Sequence, residues 1–104
     1  MEHKSLTRNE IINALKAHHD ELQKYSVKRI GLFGSYAKGS FHRGSDVDLI
    51  VEFEEPTFDN FLNLASYLEN LFGKKVELLT HEGVKSIRVK AVAERIEESV
   101  IYVR

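Results

Sequence analysis

Two aspartates one residue apart, Asp46 and Asp48, stand at the head of an otherwise apolar run, "VDLIVEF". In a strand, residues i and i+2 point to the same face, so the two carboxylates stand side by side, about 7 Å apart at Cα. At that spacing they repel each other and lose solvation unless something positive sits between them. A divalent cation relieves both costs. Mg²⁺ prefers hard oxygen ligands and is usually held by one or two carboxylates together with substrate phosphates. The aspartate pair therefore calls for a phosphate as well as a metal.

Residues upstream supply a place for that phosphate. Gly34 ends an apolar segment and Ser35 opens a short helical turn, so free backbone N–H groups and a hydroxyl converge on one spot. Glycine lets the backbone approach an anion closely, and a helix N-terminus favours negative charge. Lys38 and Arg43 are cations on the same loop, suited to phosphate oxygens. Glycine-serine pairs are common in turns, and isolated Asp-x-Asp triplets are common on surfaces. Their order, strand–loop–strand with an apolar strand behind the acids, is what makes the combination specific.

The elements that must position these residues are legible in the hydrophobic spacing. "TRNEIINALKAHHDELQKY" opens with Thr7 as N-cap and Glu10 three residues later, the pattern of a capping box. Ile11, Leu15, His18, Leu22 and Tyr25 then recur at helical spacing and predict one helix from about Arg8 to Lys24. "VKRIGLFG" predicts a first strand, "SYAKG" a turn or two of helix, and "DVDLIVEF" a second strand, with Val47, Leu49, Val51 and Phe53 alternating against Asp46, Asp48, Ile50 and Glu52. A helix follows, with Thr57 as N-cap, a stripe of Phe58, Phe61, Leu62, Ala65, Leu68 and Phe72 facing the core, and Gly73 as its end. "KVELLT" predicts a third strand. "VKSIRVKAVAERIEES" predicts a last helix through Ile87, Ala91, Val92 and Ile96, and "VIYV" a short fourth strand. Alternating helices and strands imply an α/β (α+β) fold with helices packed on a sheet. The pattern leaves open whether that sheet is parallel or mixed.

Composition narrows the class. A chain of 104 residues is expected to form a single domain, 1–104, without a second lobe for a large substrate. A formal net charge of -1 argues against nucleic acid as a direct partner, which usually meets a basic excess. With no cysteine, neither a disulfide nor a thiolate metal site can form, which fits a reducing cytoplasm. The polar N-terminus is unlike a signal peptide and no apolar run is long enough to span a bilayer, so a cytoplasmic protein with no membrane partner is expected. The five histidines lack metal-ligand spacing: His18 and His19 are adjacent and diverge by about 100° on a helix. His42 lies in the loop near the expected phosphate. Tyr36 fits equally over a nucleotide or in the core.

Gly34-Ser35, ten intervening residues, then Asp46 and Asp48 resemble the signature of the DNA polymerase β-like nucleotidyltransferase superfamily. The short length and the run "GLFGSYAKGSFHRGSDVDLIVEF" resemble the minimal nucleotidyltransferase (MNT) domains within it. The likeness extends over the flanking helices and "KKVELLT", most of the chain. It implies a mixed sheet with helices packed on it and a Mg-nucleoside triphosphate at the glycine-serine loop. It also implies a third carboxylate from the next core strand, matched here by Glu77, where the superfamily usually has aspartate. With Val76 and Leu78 on the opposite face, Glu77 is expected at an inward position, the alternative being an exposed residue on an edge strand. On this resemblance Asp46, Asp48 and Glu77 hold the metal, expected as two Mg²⁺ ions. Glu77 also orients or deprotonates the acceptor. Gly34 and Ser35 bind the terminal phosphates of ATP, assisted by Lys38, Arg43 and Ser45. MNT proteins commonly pair as antitoxins with HEPN-domain toxins, and members of this kind move AMP from ATP to a tyrosine of the toxin. Two rivals stand beside that expectation: a nucleotide-binding antitoxin that acts by contact alone, and nucleotidyl transfer to a small molecule or a nucleic-acid end.

Overall fold

The computed structural model describes residues 6–85, 96 and 100–103. The first helix starts where the sequence predicts. Thr7 Oγ1 accepts from the Glu10 N–H at 3.2 Å and Glu10 Oε1 accepts from the Thr7 N–H at 2.9 Å, a closed capping box. The predicted single helix is in fact two, α1 (Arg8–Ala17) and α2 (His19–Lys24). At His18 the backbone leaves helical geometry (φ -103°, ψ 25°), and the Ala14 carbonyl is shared between its backbone N–H and its ring Nδ1, 2.8 Å away. The break re-aims the chain so that Ile11 and Leu15 of α1 and Leu22 of α2 are all buried in one core.

The remaining elements are β1 (Val27–Phe33), α3 (Gly34–Lys38), β2 (Val47–Phe53), α4 (Phe58–Phe72), β3 (Val76–Thr80), α5 (His81–Lys85) and β4 (Ile101–Val103). The sheet runs β3-β2-β1-β4, with β1 antiparallel to β2 and β4 and β2 parallel to β3. It is the mixed sheet of the expected α+β class. The parallel pair needs a crossover, and α4 provides it.

Val47, Leu49, Val51 and Phe53 of β2 face the main core together with Ile30, Leu32, Val76 and Leu78, under α1, α2 and α4. Ile50 belongs to a second cluster on the other face, with Phe33 and the partly buried Leu79, Ile96, Val100 and Tyr102. A sheet apolar on both sides explains why this position of the alternation is isoleucine rather than a polar residue.

α4 is capped as read: Thr57 Oγ1 accepts from the Asn60 N–H at 3.1 Å, and Gly73 closes the helix in the left-handed region at φ 63°. Its stripe is not as read. Leu64 and Leu68 form the buried centre, flanked by Phe61, Ala65, Tyr67, Leu71 and Phe72, while Phe58 is 73% and Leu62 46% exposed. The predicted last helix, apart from Ile96, lies outside the described residues. Among the described residues no helix is long and apolar enough to cross a membrane.

Candidate active site

The site is assembled where β1 hands over to α3. Phe33, the last residue of β1, pairs with Asp48 of β2, so the next residue, Gly34, lies directly beside the aspartate. Gly34 has φ +74°, a region that L side chains rarely adopt, and a Cβ there would collide with the Asp48 carboxylate. Glycine is required twice over: by the backbone angle and by the close approach to Asp48. Ser35, half-buried, follows in the first turn of α3. Two buried side chains, Tyr36 and Ala37, anchor that short helix, and Gly39 ends it with its N–H donating to the Ser35 carbonyl.

Asp48 is half-buried and stands in register beside Glu77 on the parallel neighbour β3. Burial, then the charge of Asp46, then that of Glu77, push its carboxyl above the ordinary carboxylate range. The three acids therefore share one electrostatic field. They differ in setting. Asp46 is exposed and lies one residue before β2 rather than inside it. Glu77 is exposed on the edge strand, not turned inward as expected, while its neighbours Val76 and Leu78 are buried. Among the described residues no three His, Asp or Glu side chains close on one point as a ready-made metal cage. The donor set still fits Mg²⁺: it offers hard carboxylate oxygens, one of them destabilised in its charged form by its neighbours. Two such ligands plus phosphate oxygens are a common Mg²⁺ environment.

The other predicted phosphate ligands lie on the connection from α3 to β2. Lys38 is the exposed last residue of α3 and Arg43 is exposed. Ser45 Oγ accepts from the His42 N–H at 2.9 Å, and the Ser45 N–H donates to the His42 carbonyl at 2.9 Å, so Ser45 holds a tight turn. His42 Nδ1 accepts from the Gly44 N–H at 3.1 Å, which places its ring in the same turn. None of Lys38, Arg43 and Ser45 is hydrogen-bonded or ion-paired to the three acids. The two readings of Tyr36 separate: it is 1% exposed and stacks on Phe41 (4.5 Å, 14°), a core residue beneath the loop. Sequence reasoning missed Lys74, whose Nζ donates to the Arg43 carbonyl at 2.8 Å; the only signal was its place just after the helix-ending Gly73. Two grooves of about 580 and 380 Å³ lie elsewhere, around α2 and the start of β1, and are lined by none of these residues.

Comparison with known proteins identifies the family and the fold. Residues 10–103 match the nucleotidyltransferase domain family. A candidate protein adenylyltransferase from Methanocaldococcus jannaschii is 46% identical over 101 residues, spanning 93% of this chain and 98% of that one. Protein adenylyltransferase MntA from Thermococcus cleftensis is 41% identical over 100 residues, 94% of this chain and 97% of its own. Among solved structures, a candidate minimal nucleotidyltransferase superposes with TM-score 0.75 at 24% identity, covering 95% of this chain and 98% of that one. A toxin–antitoxin complex with AMP-PNP superposes with TM-score 0.60 at 24% identity, covering 93% of this chain and 72% of that one. These structural likenesses speak to the fold; the family match and the relatives above 40% identity speak to descent. The chain belongs to the nucleotidyltransferase domain family, and it is an enzyme of nucleotidyl transfer.

Proposed function

We propose that the protein is a cytoplasmic protein adenylyltransferase that moves AMP from Mg-ATP to a tyrosine hydroxyl of a HEPN-domain toxin and so acts as its antitoxin. The single observation that carries the reading is the close approach of Gly34 to Asp48, where even a Cβ would collide with the carboxylate, so that a phosphate at the Gly34 turn would lie beside the acids. A 41% identical relative is named a protein adenylyltransferase, and a neighbour of the same fold is a toxin–antitoxin complex with an ATP analogue; both fit it. In the reaction the tyrosine oxygen forms a bond to the α-phosphorus, and the bond from that phosphorus to the β-phosphate bridging oxygen breaks, releasing pyrophosphate.

Each residue has a task in this scheme. Gly34, through its N–H, and Ser35, through its hydroxyl, hold the terminal phosphates at the start of α3, assisted by the positive charge of Lys38 and Arg43 and by Ser45, which meets the phosphates from the turn that it shapes with His42. Asp46 and Asp48, with Glu77, would hold Mg²⁺, whose contribution when bound is to neutralise charge on the phosphates. Glu77, exposed at the edge of the sheet, is within reach of an incoming protein and accepts the tyrosine proton. Exposure suits that task better than burial, because the acceptor is a residue of another protein.

The test is incubation with α-³²P-ATP, Mg²⁺ and the co-purifying toxin. Label on a toxin tyrosine, with loss of toxin activity, is expected. The open arrangement of acids also favours a second reading, inhibition by contact alone. A tight complex that silences the toxin without label would establish that one. Label on a small molecule or a nucleic-acid end instead would move the acceptor to a different class.

A further inference from the structure

The loop from Gly39 to Asp46 joins the phosphate-binding turn to the aspartates, so its position sets the distance between the two halves of the site. Its ends are fixed by the backbone. The Ser40 N–H donates to the Ser35 carbonyl at 3.0 Å, and the Val47 N–H donates to the Lys75 carbonyl at 3.1 Å. Phe41 stacks on the buried Tyr36, and residues 42 to 45 form a self-contained turn closed by Ser45 and His42. That turn holds its own shape, but those bonds do not fix where it sits on the molecule.

Lys74 does. Its Nζ crosses from the segment between α4 and β3 to donate to the Arg43 carbonyl at 2.8 Å, a link between residues 31 apart in sequence. The same ammonium lies 5.8 Å from the centre of the Tyr36 ring, on the stack that carries Phe41. Gly73, left-handed at φ 63°, turns the chain at the end of α4 immediately before Lys74, and Lys74 stands three residues before Glu77. One side chain thus bridges the strand that bears Glu77, the aromatic base of α3, and the turn that bears Arg43 and Ser45.

We propose that Lys74 is a positioning residue for nucleotide binding: its ammonium, bonded to the Arg43 carbonyl and lying over Tyr36, latches the 39–46 loop so that Arg43 and Ser45 meet the triphosphate. The role given to Arg43 and Ser45 rests on the function proposed above. A charged donor on a carbonyl is among the stronger hydrogen bonds, and a cation beside an aromatic ring adds to it. Without the latch, ATP must order the loop as it binds, so affinity falls while chemistry on the bound nucleotide is largely retained. Arginine can reach the same carbonyl and lie over the same ring; methionine keeps the length and loses both interactions.

The experiment compares wild type, Lys74→Met and Lys74→Arg in two readouts. In hydrogen exchange without nucleotide, Lys74→Met is expected to speed exchange of the 40–45 amides roughly tenfold, with β1 and β2 amides unchanged. In AMP transfer, Lys74→Met is expected to raise KM for ATP roughly tenfold with kcat within about threefold of wild type. Lys74→Arg should restore both toward wild type. Unchanged loop exchange in Lys74→Met overturns the latch. Faster exchange with an unchanged KM overturns its role in binding, and an equal fall of kcat in both variants marks a structural defect instead. A wild type that transfers no AMP refutes the function proposed above, while loop exchange still decides whether Lys74 holds the loop.

Discussion

At Asp48 the charge proposed to serve catalysis works against the fold. Its carboxyl is held above the ordinary range by burial and by Asp46 and Glu77, so folding raises its affinity for a proton. For a carboxyl raised on folding, stability falls as pH rises from the unfolded value through the folded one, and stays lowered above it. At pH 7, without metal, the ionised Asp48 is therefore a cost. Asp48→Asn removes that charge at nearly constant shape, and in chelator it should melt at or above wild type. The gap should close as pH falls to about 4, the ordinary aspartate value, by which the raised Asp48 carboxyl has already taken up its proton. Transfer activity should fall at least a thousandfold, about 4 kcal/mol of barrier. Melts at the two pH values and an initial-rate assay check both halves. A mutant that melts well below wild type in chelator would mean that Asp48 accepts structural hydrogen bonds. The approach of Gly34 to Asp48 in this candidate site was legible, because a glycine before a short turn and two acids heading an apolar strand are anomalies of type and spacing. The exposure of Glu77 was left open beside the inward reading, because alternation fixes which face a residue shares but not whether its strand lies at the edge of the sheet.

Elements place these residues, and two of them show what sequence spacing can and cannot specify. α4 is rich in leucine and phenylalanine around most of its circumference, so several stripes fit equally well. Its core face is fixed only by what it packs on. Leu62 precedes the buried Leu64 by two residues, about 200° of helical rotation, which carries it to the opposite side. Leu68→Ala should therefore cost about 2–5 kcal/mol. Leu62→Ala should cost less than about 0.5 kcal/mol. Equal losses in urea titrations would restore the stripe first read from the sequence. The division between α1 and α2 was hidden for a related reason: helical periodicity continues through His18, where the backbone leaves helical geometry without a proline or glycine to mark it. At the junction of β1 and α3 the signal was plain, and its consequence is sharp. Gly34→Ala meets both a positive φ and the Asp48 carboxylate. It should lower stability by more than about 1 kcal/mol. It should also reduce transfer by more than tenfold, since the turn must move off the aspartate. Near-normal activity would show that the close approach of Gly34 to Asp48 is dispensable.

Over the whole molecule, ligand and fold are coupled. Strand order β3-β2-β1-β4 puts the two inner strands in charge of the site: β1 delivers Gly34, β2 delivers Asp48, and the edge strand β3 brings Glu77 alongside. Hydrophobic alternation could not reveal that order, since it depends on which strands pair, yet it is what brings three distant stretches of chain together. A ligand that binds across all three stabilises the native state alone. Mg-ATP at a hundredfold excess over its dissociation constant should add about 2.7 kcal/mol to the unfolding free energy. Asp46 is exposed and contributes charge to the field at Asp48. Asp46→Asn should leave the metal-free protein as stable as wild type, or slightly more stable. In Mg-ATP the same variant should gain much less than wild type, because one of the oxygens that would hold the cation has lost its charge. Four melts decide it: two proteins, each in chelator and in Mg-ATP. Equal gains for wild type and Asp46→Asn would place nucleotide binding wholly on the Gly34–Ser35 turn and remove Asp46 from the metal site. A gain in ATP with chelator as large as the gain in Mg-ATP would show that the triphosphate binds without the cation, leaving the carboxylates to chemistry alone.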